Sequence, residues 1–184
     1  MEAAMSLLLG LGLSAACGFR VFVPLLCMSL ANHSGHLTLS PGFAWIGTWP
    51  ALITFATATL LEVGGYYFPW IDNALDVVAT PAAIIAGTIA MASQIGEVSP
   101  LIRWSVAAIA GGGVCAVVQS CTVLLRGAST GASGGLSNFL VSTLELMAAL
   151  FVSVVTLIAP LIAVTMLVVF GVMVFKKLRR PAVA

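Results

Sequence analysis

Apolar residues run along this chain in long blocks, and short polar, aromatic or glycine-rich breaks separate them. The blocks fall at about Ala4–Leu30, Trp49–Tyr67, Val77–Ser93 and Leu101–Leu125, followed by a final run from Asn138 to Phe175. A helix of roughly 20 apolar residues crosses a hydrocarbon core of about 30 Å. The last run would reach about 57 Å as a single helix at 1.5 Å per residue, so the pattern predicts two spans hinged near Pro160. The fold expected is an all-α, polytopic membrane helical bundle of about six spans, a single transmembrane domain over residues 1–184.

The breaks add detail. Gly10, Gly12 and Gly18 precede Phe19-Arg20-Val21-Phe22-Val23-Pro24. Proline lacks the backbone donor and disfavours helix in the residue before it, so the first helix is expected to be kinked or broken within a turn of Arg20. Residues 32–48 form a connection holding His33, His36, Pro41 and Trp45, and Trp45 and Trp49 suit an interfacial belt. Gly64-Gly65 and Tyr66-Tyr67-Phe68-Pro69-Trp70 mark the next interface. Asp72 and Asp76 follow at a spacing that puts both on one face of a short helix. Pro81 is expected in the first turns of the third span, where proline costs least. Residues 93–100 read as a polar loop and residues 127–137 as a Gly/Ser-rich loop. The run Gly111-Gly112-Gly113 permits close helix contact.

Composition turns the pattern into a class. The chain has 184 residues, 61% hydrophobic and 7% charged, with mean hydropathy +1.17. A soluble domain carries roughly 25% charged residues, so the partner of this surface is the lipid bilayer. The net charge of +1 excludes a basic field for nucleic acid. Glu2 stands where a signal peptide needs positive charge, so no cleaved leader is expected, and Ser14-Ala15-Ala16-Cys17 lacks the basic leader of a lipoprotein. Cys17, Cys27, Cys115 and Cys121 include no Cys-x-x-Cys pair and read as small hydrophobes. With six spans both termini share a side, which holds Arg126 and the basic tail 176–184 (Lys176, Lys177, Arg179, Arg180); the positive-inside rule places that side in the cytoplasm.

Three charges sit inside apolar blocks: Arg20, Glu62 and Glu145. An ionised group in hydrocarbon costs several kcal/mol and persists when paired, wetted or used. Ala56-Thr57-Ala58-Thr59-Leu60-Leu61-Glu62 is similar to Phe139-Leu140-Val141-Ser142-Thr143-Leu144-Glu145, and Thr80-Pro81 is echoed by Ala159-Pro160. Units 1–93 and 101–175 of three spans each would insert in opposite senses, the inverted-repeat plan of many secondary transporters. Low-complexity apolar helices also match one another by chance.

Ala16-Cys17-Gly18-Phe19-Arg20 with Pro24-Leu25-Leu26, then Glu62, Pro69-Trp70-Ile71-Asp72 with Asp76, Pro81 and Gly87 together resemble a bacterial integral-membrane family known as a domain of unknown function, number four-one-two-six. The resemblance covers most of the chain and implies a small polytopic protein of the bacterial inner membrane, with no activity attached. That family usually places an Asp-Lys pair between the glutamate and the proline, where this chain has Gly65-Tyr66-Tyr67-Phe68, and an arginine before the later proline, where this chain has Thr80.

The function expected is a secondary transporter or permease for a small polar or anionic solute. Its substrate-binding candidates are Arg20, an always-charged contact for an anion, with Glu62, Glu145, Pro24 and Gln119. Carboxylates in low dielectric favour the neutral form, so the two glutamates are candidates to carry coupling protons. The alternative is a non-transporting scaffold or assembly partner whose buried charges are structural. No enzyme, cofactor or metal site is expected. Gly127-Ala128-Ser129-Thr130-Gly131 has nucleophile-elbow spelling without its strand-turn-helix setting, and His33 and His36 have no third ligand near them in sequence. A homodimer is expected, because a chain this small has little room to enclose a pathway.

Overall fold

In a computed structural model, which describes residues 2–66, 69–134 and 137–178, every regular element among the described residues is helical. The elements are α1 (Glu2–Cys17), α2 (Phe22–His33), a short 3-10 segment (Pro41–Gly47), α3 (Trp49–Gly65), α4 (Pro69–Gln94), α5 (Pro100–Val106), a π-helical stretch (Ala107–Gly112), α6 (Gly113–Ser133), α7 (Asn138–Ile158) and α8 (Pro160–Leu178). Three helical stretches are long and apolar enough to cross a membrane: Val77–Gln94, Pro100–Ala132 and Asn138–Ile158. The 3-10 segment and α3, bent by 61° against each other, make a fourth if taken as one span.

Local chemistry sets the ends. Thr48 caps α3 by accepting from the Ala51 amide at 3.5 Å, and Ser99 caps α5 by accepting from the Ile102 amide at 3.4 Å; a proline stands within the first two positions of both helices. The α6 helix ends on Gly134, whose φ of +63° suits a residue without Cβ and whose amide donates to the Thr130 carbonyl. Pro160 separates α7 from α8, as the long apolar run predicts.

The bundle is inside out relative to a soluble protein. Leu60, Leu101, Ile109, Leu124 and Ile158 point outward with more than two thirds of their surface free. At the centre small and polar residues are buried among larger apolar ones such as Leu25, Met28 and Met91, and α1 runs through it: Leu13, Ser14, Ala15, Ala16 and Cys17 are completely buried. Backbones approach closely where side chains are smallest. The Ser14 hydroxyl lies 2.7 Å from the carbonyls of both Gly10 and Gly87, the Cys115 thiol donates to the Ala83 carbonyl at 2.9 Å, and a Cβ on Gly111 would stand 2.7 Å from the Gly87 carbonyl. This is the small-residue packing by which helices associate without a hydrophobic driving force.

The first apolar block departs from the single kinked span expected of it. Gly10 lies against Met91 and Gln94, Gly12 against Thr156, and Gly18 against Cys115 and Val118, so α1 runs antiparallel to α4 and α7. The next helix doubles back. Its first amides meet Glu62 near the end of α3, Cys27 lies beside Ser153 on α7, and at its far end His33 meets Trp49 at the start of α3. The pair α1–α2 is therefore a helical hairpin with Arg20 at its tip. The glycine and proline signals mark where the helix stops; packing against α3 and α7 sets the direction in which it resumes.

Three further expectations change. The start of α1 and the end of α8 lie at opposite ends of the bundle, because the hairpin adds a reversal; the reading that puts both termini on one side does not account for it. Residues 127–133 continue α6 as helix rather than loop, and the Asn138 side-chain amide, donating to the Thr130 hydroxyl at 3.0 Å, ties that end to the start of α7. Pro81 is interior to α4, which starts at Pro69 rather than near Val77. The side chains of Asp72 and Asp76 and the tail beyond Leu178 lie outside the described residues.

The hairpin predicts a labelling pattern. In a background without native cysteines, Ala3→Cys and Gly42→Cys are labelled by a membrane-impermeant maleimide from one side of sealed vesicles, and Lys176→Cys from the other. Labelling of all three from the same side would rule the hairpin out.

Candidate functional site

Four parts of the bundle meet at the hairpin tip: the α1–α2 turn, the end of α3, the middle of α6 and the first half of α7. Arg20 is 1% exposed. Its Nη2 donates to the Ser142 carbonyl at 2.9 Å and to the Ser142 hydroxyl, and stands 3.5 Å from Oε2 of Glu145. Ser142 and Glu145 are three residues apart on α7, so one helix face presents both acceptors.

Arg126 reaches the same carboxylate from α6. Its Nε donates to Oε1 of Glu145 at 3.1 Å and its Nη2 donates to Oε2, a two-pronged guanidinium–carboxylate pair. Both guanidinium groups stand over the Tyr66 ring, with central carbons 4.0 Å (Arg20) and 3.9 Å (Arg126) from its centroid. Tyr66 is 3% exposed, and a desolvated cation–π contact contributes about 2 kcal/mol or more. The ring and the Glu145 carboxylate thus hold two like charges together in a buried place.

Glu62 does something else. It accepts the Val21 amide at Oε1 (2.8 Å) and the Phe22 amide at Oε2 (3.1 Å). Those are orphan donors at the start of α2, where the helix dipole favours negative charge. Glu62 is a side-chain cap supplied by another helix, and it lets a backbone turn exist within apolar surroundings.

The turn lies well inside the bundle. Arg126 stands seven residues before the last residue of α6 and Glu145 seven after the first of α7, which puts the site roughly 10 Å from those helix ends at 1.5 Å per residue.

The three charges singled out by sequence converge at this turn. Pro24 is buried in the first turn of α2, where its missing amide costs no hydrogen bond; it shapes the turn. Gln119 is buried on the Arg126 face of α6, two turns earlier, and no hydrogen bond joins it to the cluster among the described residues. The Gly127–Gly131 pentapeptide is part of α6. His33 and His36 are exposed, with His36 Nδ1 3.0 Å from the Ser34 hydroxyl.

Sequence reasoning missed Tyr66, Arg126 and Ser142 as site residues. Arg126 was readable in principle: an arginine amid residues able to continue a helix to Ser133 is an internal charge.

One feature of the site is unbalanced. The Nε and Nη1 atoms of Arg20 are buried, and among the described residues neither has an acceptor. An unsatisfied buried donor costs about 1–3 kcal/mol, and more on a charged group. Glu62 is bonded to the α2 amides, and both guanidinium groups reach the Glu145 carboxylate.

Two lateral cavities adjoin the tip. One of about 270 Å³ between α6 and α7 is lined by Phe19, Thr122, Leu125, Val141, Leu144, Glu145 and Ala148. The other, of about 260 Å³ between α7 and α8, is walled by Phe19, Ala148, Phe151, Phe170 and neighbouring apolar side chains.

The family model described as Domain of unknown function (DUF4126) matches residues 7–180. No curated protein and no solved structure matches the chain.

The pairing predicts unequal costs. Arg126→Ala removes the two-pronged partner of Glu145 and lowers unfolding free energy in bicelles by about 3–5 kcal/mol, the range for breaking a buried pair. Tyr66→Leu lowers it by at least about 2 kcal/mol, the scale of a desolvated cation–π contact. Losses under about 1 kcal/mol for both, the level of an exposed pair, would show that the cluster does not hold the bundle together.

Proposed function

The chain belongs to the DUF4126 family, a domain of unknown function, and we propose that it is a small transport protein that moves an anionic solute past the hairpin tip. The observation that carries this reading is Arg20, whose Nε and Nη1 are buried without acceptors beside a second guanidinium. A purely structural arginine is expected to spend its donors on the protein. Here they are available to an anion at a discontinuous helix, the setting in which transporters hold charged substrates.

In this reading α1–α2 is a re-entrant hairpin, and α3, α4, the α5–α6 stretch, α7 and α8 cross the bilayer, in place of six crossings. The two glutamate-bearing helices, α3 and α7, run in opposite directions, which supports inverted units; α1 would then be an addition to the first unit. The proposal includes the bacterial inner membrane as location and a homodimer as working form, and it assigns no enzymatic step. Arg20 contacts the solute, Arg126 and Tyr66 hold it in place, and Glu145 balances charge as solute or proton arrives.

A second reading has an observation in its favour. Glu62 is fully engaged as a cap and Arg126 is doubly bonded to Glu145, which suits a scaffold whose charges are structural. Flux separates the two. With a panel of phosphate and carboxylate anions in proteoliposomes, folded Arg20→Gln lowers uptake at least about tenfold, the loss of one charge-assisted contact. Uptake unaltered in Arg20→Gln, or absent in the unmodified protein, leaves the scaffold reading standing.

A further inference from the structure

We propose that Glu62 is the proton-accepting group of the site, and that a proton on Glu62 draws an anion to Arg20, so that the two bind together. The inference rests on the proposed anion site and names what governs its occupancy.

The two carboxylates at the tip are held in different ways. Both oxygens of Glu145 accept from the Arg126 guanidinium, and Arg20 stands beside the same group. A proton on Glu145 would separate a buried two-pronged pair and leave two guanidinium groups facing a neutral acid. Glu62 makes no ion pair among the described residues. Its oxygens accept two backbone amides, Val21 at 2.8 Å and Phe22 at 3.1 Å. Those donors are neutral, so a proton on Glu62 strands no charge against it.

The other charged or titratable groups around Glu62 are Arg20 and Arg126, which act on it at longer range, and the Cys17 thiol of α1. Tyr66, one turn further along α3, is turned to the two arginines. Position agrees with the chemistry. Glu62 lies three residues before the last residue of α3, whereas Glu145 is seven residues inside α7. At 1.5 Å per residue, Glu62 is about 5 Å of helix from that end.

Charge links the proton to the anion. Among the described residues, Arg20 and Arg126 are balanced by Glu62 and Glu145 while both carboxylates are ionised. A proton on Glu62 leaves one positive charge unmatched in a buried place. An anion at Nε and Nη1 of Arg20, which have no acceptor among the described residues, restores the balance. By reciprocity, the anion strengthens the hold on the proton by the same factor as the proton strengthens the hold on the anion. The only bond made is the O–H of Glu62, whose proton comes from water and returns to it. An acid has one good acceptor oxygen where the carboxylate had two, so the longer of the two amide bonds, from Phe22, weakens. The hairpin tip is then tied to Glu62 chiefly through the Val21 amide.

The test uses the full chain in nanodiscs and proteoliposomes with dimethyl phosphate and lactate, anions that do not themselves titrate near neutral pH. Binding of either anion takes up protons from weakly buffered solution, approaching about one per site, and affinity rises about tenfold as pH falls through the titration of Glu62. Glu62→Gln, which keeps the shape and cannot take the proton, binds without proton uptake or pH dependence. In proteoliposomes protons enter with the anion, and in Glu62→Gln they do not. Hydrogen exchange without ligand gives an independent reading: the Phe22 amide exchanges faster as pH falls, while other α2 amides slow as base-catalysed exchange requires. Anion bound or moved without protons overturns the proposal and leaves anion transport intact. Proton uptake that persists in folded Glu62→Gln, or a Phe22 amide that slows like its neighbours, overturns it too. Where Glu62→Gln does not fold, the proton count and the Phe22 amide of the unmodified protein decide. No anion bound or moved at all removes the transport reading, and the Phe22 amide then decides on the proton site alone.

Discussion

The structure depends on satisfying a backbone turn inside an apolar bundle. A helix that stops away from water leaves amides and carbonyls unpaired, and each would cost several kcal/mol in hydrocarbon. At the α1–α2 turn the carbonyls of Ala15 and Ala16 take the amides of Gly18, Phe19 and Arg20. The next two amides, of Val21 and Phe22, go to Glu62. Glu62 comes from α3, so the turn can form only when α3 is packed against the hairpin. Local structure and tertiary packing are in that sense one event here.

A second requirement follows from the first. A hairpin running through the centre of so small a bundle needs neighbours that come close, and α1 has them because Gly10, Gly12 and Gly18 leave room for Met91, Thr156 and Val118. Gly87 and Gly111 do the same where α4 meets the π-helical stretch. Such a stretch widens the helix by one residue and is frequent near functional places. Here it aligns the carbonyl side of α4 with Ser14 rather than with the charged tip. These glycines serve close approach; Gly134, just past the end of α6, is used instead for its positive φ.

Much of the fold could be read from the apolar blocks, and the limits have physical causes. Block length locates helices well because hydrocarbon tolerates little else, which is why the two-helix reading of the last run and the break near Arg20 match the structure. Direction after the break could not be read: Gly18 and Pro24 say that the helix stops, and only contacts distant in sequence say that it turns back along α7. The site was half legible. Arg20, Glu62 and Glu145 stand out as charges among apolar residues, whereas Arg126 borders a Gly/Ser-rich segment that reads as a loop by composition. Tyr66 sits in an aromatic cluster that looks interfacial, and in this chain it occupies the stretch where the resembling family usually has a charged pair. The ring stands against both guanidinium groups.

The ties at the tip are unequal, and that inequality says which part is held most firmly. Helices α6 and α7 are joined by a two-pronged pair between Arg126 and Glu145. The hairpin is joined to α3 through both oxygens of Glu62, and to α7 through one nitrogen of Arg20 and the close approach of Gly12 to Thr156. An anion on the free edge of Arg20, Nε and Nη1, would leave the Nη2 contacts with Ser142 and Glu145 in place. Such a ligand would add a tie at the tip without giving up one, so occupancy and the packing of the hairpin need not oppose each other.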